Sequence, residues 1–142
     1  MFAKQLSVFI ENRQGRLGEV LGALKENGVN ILSLSLADTT EYGLLRLIVS
    51  DPAAGKQKLA ETGFSSLLSD VLVIEIPHTA GSLQGLLKEM ESRNVNVEYM
   101  YGLSIAGEKA YVVLKASDLS AAEAAADACG VKTVSNEQLS AM

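Results

Sequence analysis

The chain reads Asn12-Arg13-Gln14-Gly15-Arg16-Leu17 and, 66 positions later, His78-Thr79-Ala80-Gly81-Ser82-Leu83. The same offset relates Val29-Asn30-Ile31 to Val95-Asn96-Val97. A constant offset of this size indicates a duplicated domain, because solenoid proteins are built from many repeats of about 20 to 50 residues. The sequence therefore predicts two modules, residues 1–69 and 70–142, each near the smallest size that folds alone.

The composition excludes several classes of protein. The chain has 142 residues, a formal net charge of −5 and 48% hydrophobic residues, which is typical of an ordered globular protein. Because it contains no basic run, binding to nucleic acid is not expected. It also lacks a secretion signal and any stretch of about 18 apolar residues, so we expect no membrane contact and a cytoplasmic location.

The single cysteine, Cys129, cannot form an internal disulfide. It precedes Gly130 in an alanine-rich segment, and this position favours a buried structural thiol. No metal-ligating residues cluster near it in the sequence, and we expect neither a metal ion nor another cofactor.

Hydrophobic periodicity predicts the same opening elements in both modules. Apolar residues alternate over residues 6–10 and 72–76, which is typical of a strand. Over residues 17–24 and 83–90 they recur at i, i+3, i+4 and i+7, which predicts an amphipathic helix. We expect these helices to end at a left-handed residue, supplied by Asn27-Gly28 and Arg93-Asn94 respectively.

A hairpin, a second helix and a final strand complete each module in the same prediction. The hairpin strands are residues 31–36 and 44–49 around a turn at 38–43, then residues 95–101 and 110–114 around a turn at 106–109. The second helix of the first module is expected to begin at Asp51-Pro52 and to end at Gly63. Its equivalent lies within residues 117–130, where Ser120 and Glu123 are spaced as a capping box. Final strands are expected near residues 65–69 and 132–135, followed only by a frayed end over residues 137–142.

The resulting order is β-α-β-β-α-β, written twice. It predicts an α+β protein with two ferredoxin-like modules, each an antiparallel four-stranded sheet with both helices on one face. This fold hosts many unrelated functions, so function has to be argued from particular residues.

The loop between the first strand and the first helix carries groups suited to a free amino acid. The backbone N–H groups of Gly15, Arg16 and Leu17 would be free donors at a helix N-terminus, where a carboxylate binds well. The amides of Asn12 and Asn30 each offer a donor and an acceptor, which suits both charged ends of a zwitterion.

These residues resemble the ligand loop of the ACT domain, a small regulatory module of amino-acid metabolism. The family pattern N-R-P-G-x-L followed by G-V-N-I is similar to residues 12–17 and 28–31, with Gln14 in place of the proline. The second copy keeps the glycine, the leucine and the second asparagine, and has His78 where the first has Asn12. The resemblance covers the whole chain and implies two ACT domains without a catalytic domain.

The resemblance implies that an amino acid binds where modules meet edge to edge. The candidate ligand-binding residues of the first copy are Asn12, Arg13, Gly15, Arg16, Leu17, Asn30 and Ile31. Those of the second copy are His78, Gly81, Ser82, Leu83 and Asn96. Because Asn12 fits the family pattern and His78 departs from it, the first loop is the better candidate. The expected protein is non-catalytic, forms a homodimer and signals through its own assembly or through a regulated enzyme or regulator in trans.

Other interpretations remain open at this point. Asn12 could only stabilise the loop, and Arg13 and Arg16 could be solvated surface charges. The chain could also be a structural or partner-binding module that has lost its ligand. An enzyme such as an acyl-phosphate hydrolase is a weaker alternative, because residues 12–15 resemble a phosphate-binding loop only loosely.

Overall fold

The computed structural model describes residues 1–38, 41–106 and 109–142. Its elements up to the middle of the chain are β1 (Ala3–Glu11), α1 (Arg16–Glu26), β2 (Ile31–Asp38), β3 (Tyr42–Val49), α2 (Pro52–Glu61) and β4 (Ser65–Pro77). They are followed by α3 (Ser82–Ser92), β5 (Val97–Ala106), β6 (Lys109–Ala116), α4 (Leu119–Ala128), β7 (Lys132–Thr133) and α5 (Asn136–Ser140). The predicted pair of ferredoxin-like β-α-β-β-α-β modules is confirmed. The predicted turns at 38–43 and 106–109 include residues 39–40 and 107–108, which lie outside the described residues.

The chain divides into two compact units. The first module comprises Lys4–Ser69 with Leu139–Met142, and the second comprises Asp70–Gln138 with Met1–Ala3. Each end of the chain thus belongs to the unit formed by the opposite half. The strand order is β2-β3-β1-β4 in the first module and β5-β6-β4-β7 in the second.

One strand replaces two predicted ones. The strands expected over residues 65–69 and 72–76 are a single strand, β4, because no glycine, proline or asparagine interrupts residues 65–76. β4 therefore ends the first repeat and begins the second.

The core of each module lies between its sheet and its helices. In the first module, alternate residues of β1 and β3 pack with the apolar faces of α1 and α2, as the periodicity predicts. Fully buried members of this core are Leu6, Val8, Val20, Leu24, Leu45, Leu47 and Leu59. The second core is built the same way and includes Leu72, Ile74, Leu86, Met90, Leu114, Ala122 and Ala125.

The offset between the copies is not constant. Val8 pairs with Leu45 in the first module and Ile74 pairs with Val112 in the second, so the offset grows from 66 on the first strands to 67 on the third. The register of β5 shifts between residues 102 and 105, and a bulge of this kind accommodates one additional residue. The prediction of a single offset is therefore wrong from the hairpins onward.

Helix ends agree with the sequence at all but one of the positions predicted. Gly28 and Asn94 adopt the expected positive φ angles of 68° and 58°, and Asp51 caps α2 by accepting a hydrogen bond from the Ala54 N–H. The capping box of Ser120 and Glu123 is wrong, because the N-cap of α4 lies two residues before Ser120. Its cap is Asp118, whose carboxylate accepts a hydrogen bond from the Ala121 N–H at 3.0 Å.

Two predictions near the C-terminus are also wrong. Cys129 is exposed, since it follows the last residue of α4 and the alanines of that helix fill the buried face. The expected frayed end contains α5, where Leu139 is buried and the Ser140 hydroxyl donates to the Ser50 carbonyl oxygen at 2.7 Å. None of the helices in the described ranges is long and apolar enough to cross a membrane.

Candidate functional site

The first loop is shaped by Gly15. This residue occupies the N-cap position of α1 with φ of 89°, a left-handed conformation that side chains rarely adopt. A Cβ atom at Gly15 would meet no described atom within 4 Å, so the backbone there faces open space. Because the cap residue is glycine, it brings no side chain to the free N–H groups of the first turn.

One of the three N–H groups that the sequence predicts to be free is already used. The Arg16 N–H donates to the Arg13 carbonyl oxygen over a long distance of 3.4 Å. The Asn12 N–H donates to the Glu41 carbonyl oxygen at 3.3 Å, which ties the loop to the start of β3.

Asn12, Arg13 and Leu17 line one cleft of about 170 Å³ in the first module, together with Leu36 and Gly43. Asn12 and Arg13 are exposed, and Leu17 is half-buried against the core. Pockets for small ligands usually span about 300 to 1,000 Å³, so this cleft can enclose only part of a ligand.

Asn30 and Ile31 line a different cleft, of about 360 Å³, beside Leu21 and Lys25. The Asn30 N–H donates to the Ser50 Oγ at 2.9 Å, and its carbonyl oxygen accepts from the Ser50 N–H at the same distance. The structure therefore does not bring Asn12 and Asn30 into one cleft, although both lie in the first module.

Ser50 was not among the predicted site residues, although the sequence contains a signal for it. Ser117 forms the same two hydrogen bonds with the main chain of Asn96, at 3.1 and 2.9 Å. Ser50 and Ser117 each precede a capping aspartate, so an alignment that allowed for the offset of 67 would have paired them.

Arg16 is held by neighbours within its own module. Its guanidinium lies 4.4 Å from the centre of the Phe64 ring and forms an ion pair with Glu19 at 2.7 Å. The side chain is only 20% exposed, and its Nε is buried without a hydrogen-bond partner among the described residues. Arg13 is far more exposed and pairs with Glu11 at 3.3 Å. Arg16 is thus packed, and Arg13 is the more accessible cation.

The second loop has the same backbone and different side chains. Gly81 caps α3 with φ of 86°, and open space surrounds it as it does Gly15. The hydroxyls of Thr79 and Ser82 are hydrogen-bonded at 2.7 Å, at the positions that Arg13 and Arg16 hold in the first loop. Leu83 is half-buried, whereas His78 and Asn96 are exposed.

A larger cleft, of about 650 Å³, lies at the end of β4 in the second module. His78 is the one predicted site residue on its wall, which also includes Ile76, Pro77, Glu75, Lys109 and Lys132. We call it the β4–β6–β7 cleft. Its charged residues were not predicted as site residues, because they are far apart in the chain.

Glu75 is the centre of the charged group in this cleft. Its Oε1 accepts a hydrogen bond from the Lys109 ammonium at 2.9 Å, and its Oε2 accepts one from the Tyr111 hydroxyl at 3.1 Å. The bond from Lys109 lowers the pKa of the Glu75 carboxyl, against the opposing effect of burial. The same contact raises the pKa of Lys109, and the bond to Glu75 raises the pKa of Tyr111.

Comparison with known proteins identifies a family and several similar structures. A protein from Bacteroides thetaiotaomicron is 32% identical, with a TM-score of 0.94 over 100% of this chain and 98% of that chain. The regulatory subunit of aspartate kinase from Thermus thermophilus, in its ligand-free form, is 18% identical, with a TM-score of 0.67 over 89% and 90%. The corresponding subunit from Thermus flavus is 20% identical, with a TM-score of 0.60 over 88% of both chains.

These last two similarities concern the fold alone. No protein with a curated description matches the chain. The sequence model of the family described as ACT domain pair matches residues 1–142, the full length of the two repeats. The chain therefore belongs to the family of ACT domain pairs.

Proposed function

We propose that this chain is a non-catalytic regulatory protein that binds a free amino acid where ACT modules meet, chiefly through its first loop. Membership of the ACT domain pair family supports a regulatory, ligand-binding role. The amino acid, the residues that contact it and the meeting of modules around it are our proposal. The division of the chain into ACT domains at residues 1–69 and 70–142 is also part of our proposal.

The observation that carries this proposal is the glycine-opened start of α1 beside polar side chains. Gly15 leaves the backbone accessible, and the N–H groups of Gly15 and Leu17 suit a ligand carboxylate. Asn12 and Arg13 line the adjoining cleft. The Asn12 amide can serve the ligand ammonium through its oxygen, and Arg13 adds a positive charge for the carboxylate.

The small size of this cleft fits a site completed by a second surface. A volume of about 170 Å³ holds the charged end of an amino acid but leaves its side chain outside. A ligand held in this way would favour one arrangement of modules over another, which is what regulation by assembly requires. We propose that the signal passes through a homodimer, or to a regulated enzyme or regulator in trans.

The second loop is proposed as the weaker site. Ser82 is occupied by its hydrogen bond with Thr79, and no arginine is present at either position. His78, Gly81, Leu83 and Asn96 remain available to a different ligand.

Thermal unfolding in the presence of each of the twenty amino acids tests the proposal. We expect one or a few of them to raise Tm with increasing concentration, because a ligand bound only to the folded state stabilises it by mass action. Asn12→Ala should abolish this shift, whereas Gln14→Ala, an exposed substitution in the same loop, should preserve it. A flat response to all twenty amino acids would reject the proposal.

A flat response would favour a partner-binding module that has lost its ligand. The observation in its favour is the exposure of Leu34 and Leu36 on β2, each 47% exposed. An acyl-phosphate hydrolase is disfavoured, because Arg16 is packed against Phe64 and paired with Glu19 rather than presented to a phosphate.

A further inference from the structure

Strand register brings together the charged side chains of the β4–β6–β7 cleft, and the second loop adds His78 and Thr79 to its wall. Glu75 lies directly opposite Tyr111 on β6 and opposite Lys132 on β7, and Pro77 lies opposite Lys109. Because residues two apart in a strand share a face, all five side chains lie on one side of this sheet. Ile74 and Ile76 alternate with them and face the helices and the core.

The charges in this cleft do not cancel. Glu75 is 16% exposed and already accepts hydrogen bonds on both oxygens, from Lys109 and Tyr111. Lys132 stands beside it and forms no ion pair with any residue of the described ranges. Among the described residues that line the cleft, two lysines against one glutamate leave a single net positive charge. Lys109 also retains ammonium hydrogens beyond the one given to Glu75.

Among the strand pairs that the structure describes, the first module has no counterpart to this arrangement. The strand pairs that match Glu75 with Tyr111 and Pro77 with Lys109 are Phe9 with Leu44 and Glu11 with Tyr42. Of these four residues only Glu11 carries a charge, and it pairs with Arg13. The charged cleft is therefore a property of the second module and not of the repeated scaffold.

We propose that the β4–β6–β7 cleft is a second ligand site, which binds the carboxylate of a small organic acid. The Lys132 ammonium is the principal contact, the free hydrogens of Lys109 are the second, and the apolar surface of Pro77 accommodates the carbon chain. One net positive charge matches one carboxylate, whereas a phosphate dianion would leave an excess of negative charge. The cleft volume of about 650 Å³ lies in the range of small-molecule pockets.

His78 of the second loop also lines the cleft, but neither lysine that contacts the carboxylate belongs to a ligand loop, so the carboxylate site is independent of the amino-acid site proposed at the first loop. A free amino acid is also a poorer match than a simple acid, because its ammonium would lie beside Lys109 and Lys132. Glu75, which could offset that repulsion, is already engaged.

Titration of the full chain with sodium butyrate, followed by amide NMR in low salt, tests the proposal. We expect the amide signals of Gly130 and Lys132 to shift with butyrate and not with butyramide, its uncharged analogue. Lys132→Met should weaken butyrate binding at least about tenfold, the usual effect of losing one hydrogen bond to a charged group. Lys88→Met, which removes an exposed lysine on α3, is the matched control and should bind butyrate normally.

Glu75→Gln gives a test in the opposite direction. It removes the carboxylate that competes for Lys109, so butyrate should bind more tightly to this variant. Equal affinity of the wild type and Lys132→Met, or tighter binding of inorganic phosphate than of butyrate, would overturn the proposal. Asn12→Ala should leave butyrate binding unchanged, so failure here is distinguishable from failure of the amino-acid site.

Discussion

Gly15 holds the start of α1 in a backbone conformation that only glycine adopts readily. We expect Gly15→Ala to lower the free energy of unfolding by about 1 to 2 kcal/mol, the cost of a left-handed conformation for a residue with a Cβ atom. Gly81→Ala should have a similar cost in the second module, because its φ is nearly the same. Urea denaturation of the purified variants measures both effects.

Gly22→Ala is the control for this prediction. Gly22 lies in the middle of α1, and a Cβ atom there would meet no described atom within 4 Å. Alanine should therefore raise stability, by up to about 1 kcal/mol, through its higher helix propensity. Equal effects of Gly15→Ala and Gly22→Ala would contradict the left-handed geometry at Gly15.

Single residues were predictable from the sequence where the constraint is local. The left-handed conformations of Gly28 and Asn94 follow from the few residues around them. The environment of Arg16 was not predictable, because Phe64 is 48 positions away and only folding brings the two together. The exposure of Cys129 depends on where α4 ends, and helix ends are uncertain by a few residues in any sequence reading.

At the scale of elements, the pairing of β4 with β6 includes the ion pair of Glu75 with Lys109. The pKa of Glu75 is lower in the folded protein than its usual value of 4.5, so the stability it contributes is present above that value. It is lost as the pH falls through the folded pKa. We therefore expect wild type to be more stable than Glu75→Gln near pH 7, and this advantage to shrink at pH values below about 4.5.

Thermal unfolding between about pH 3 and pH 7 measures this difference. Glu26→Gln, at the exposed end of α1, is the control for the loss of one carboxylate from the surface. A difference between wild type and Glu75→Gln that stayed constant over the whole range would contradict the role of the ion pair.

Elements were predictable because their hydrophobic periods are unambiguous, and their connections were less so. Residues 6–10 and 17–24 have clear periods of 2 and 3.6, and both became the expected strand and helix. β4 exceeded its predicted length because periodicity does not report where one repeat ends and the next begins. α5 was missed because its stability comes from burial of Leu139, a contact that sequence periodicity does not reveal over five residues.

At the scale of the molecule, duplication preserved the scaffold and allowed the surfaces to diverge. Both modules keep the left-handed glycine, the serine that holds the second asparagine and the aspartate that caps the second helix. The first loop has two arginines where the second has Thr79 and Ser82. On the strands, by contrast, the second module carries the charge, because its Glu75 corresponds to Phe9 of the first module. Two modules of one fold therefore offer two different surfaces for ligands.

The edge of the first module provides the test of assembly. β2 lies at the end of the strand order, and Leu34 and Leu36 on it are each 47% exposed. Exposed strand edges with apolar side chains are prone to pair with another chain. We propose that two copies pair there, and light scattering after size-exclusion chromatography should give twice the chain mass of 15.0 kDa. Leu36→Lys should yield monomers, because a lysine on each copy would bring like charges together. Gln57→Lys, on exposed α2, should remain dimeric, whereas a dimeric Leu36→Lys would place the interface elsewhere.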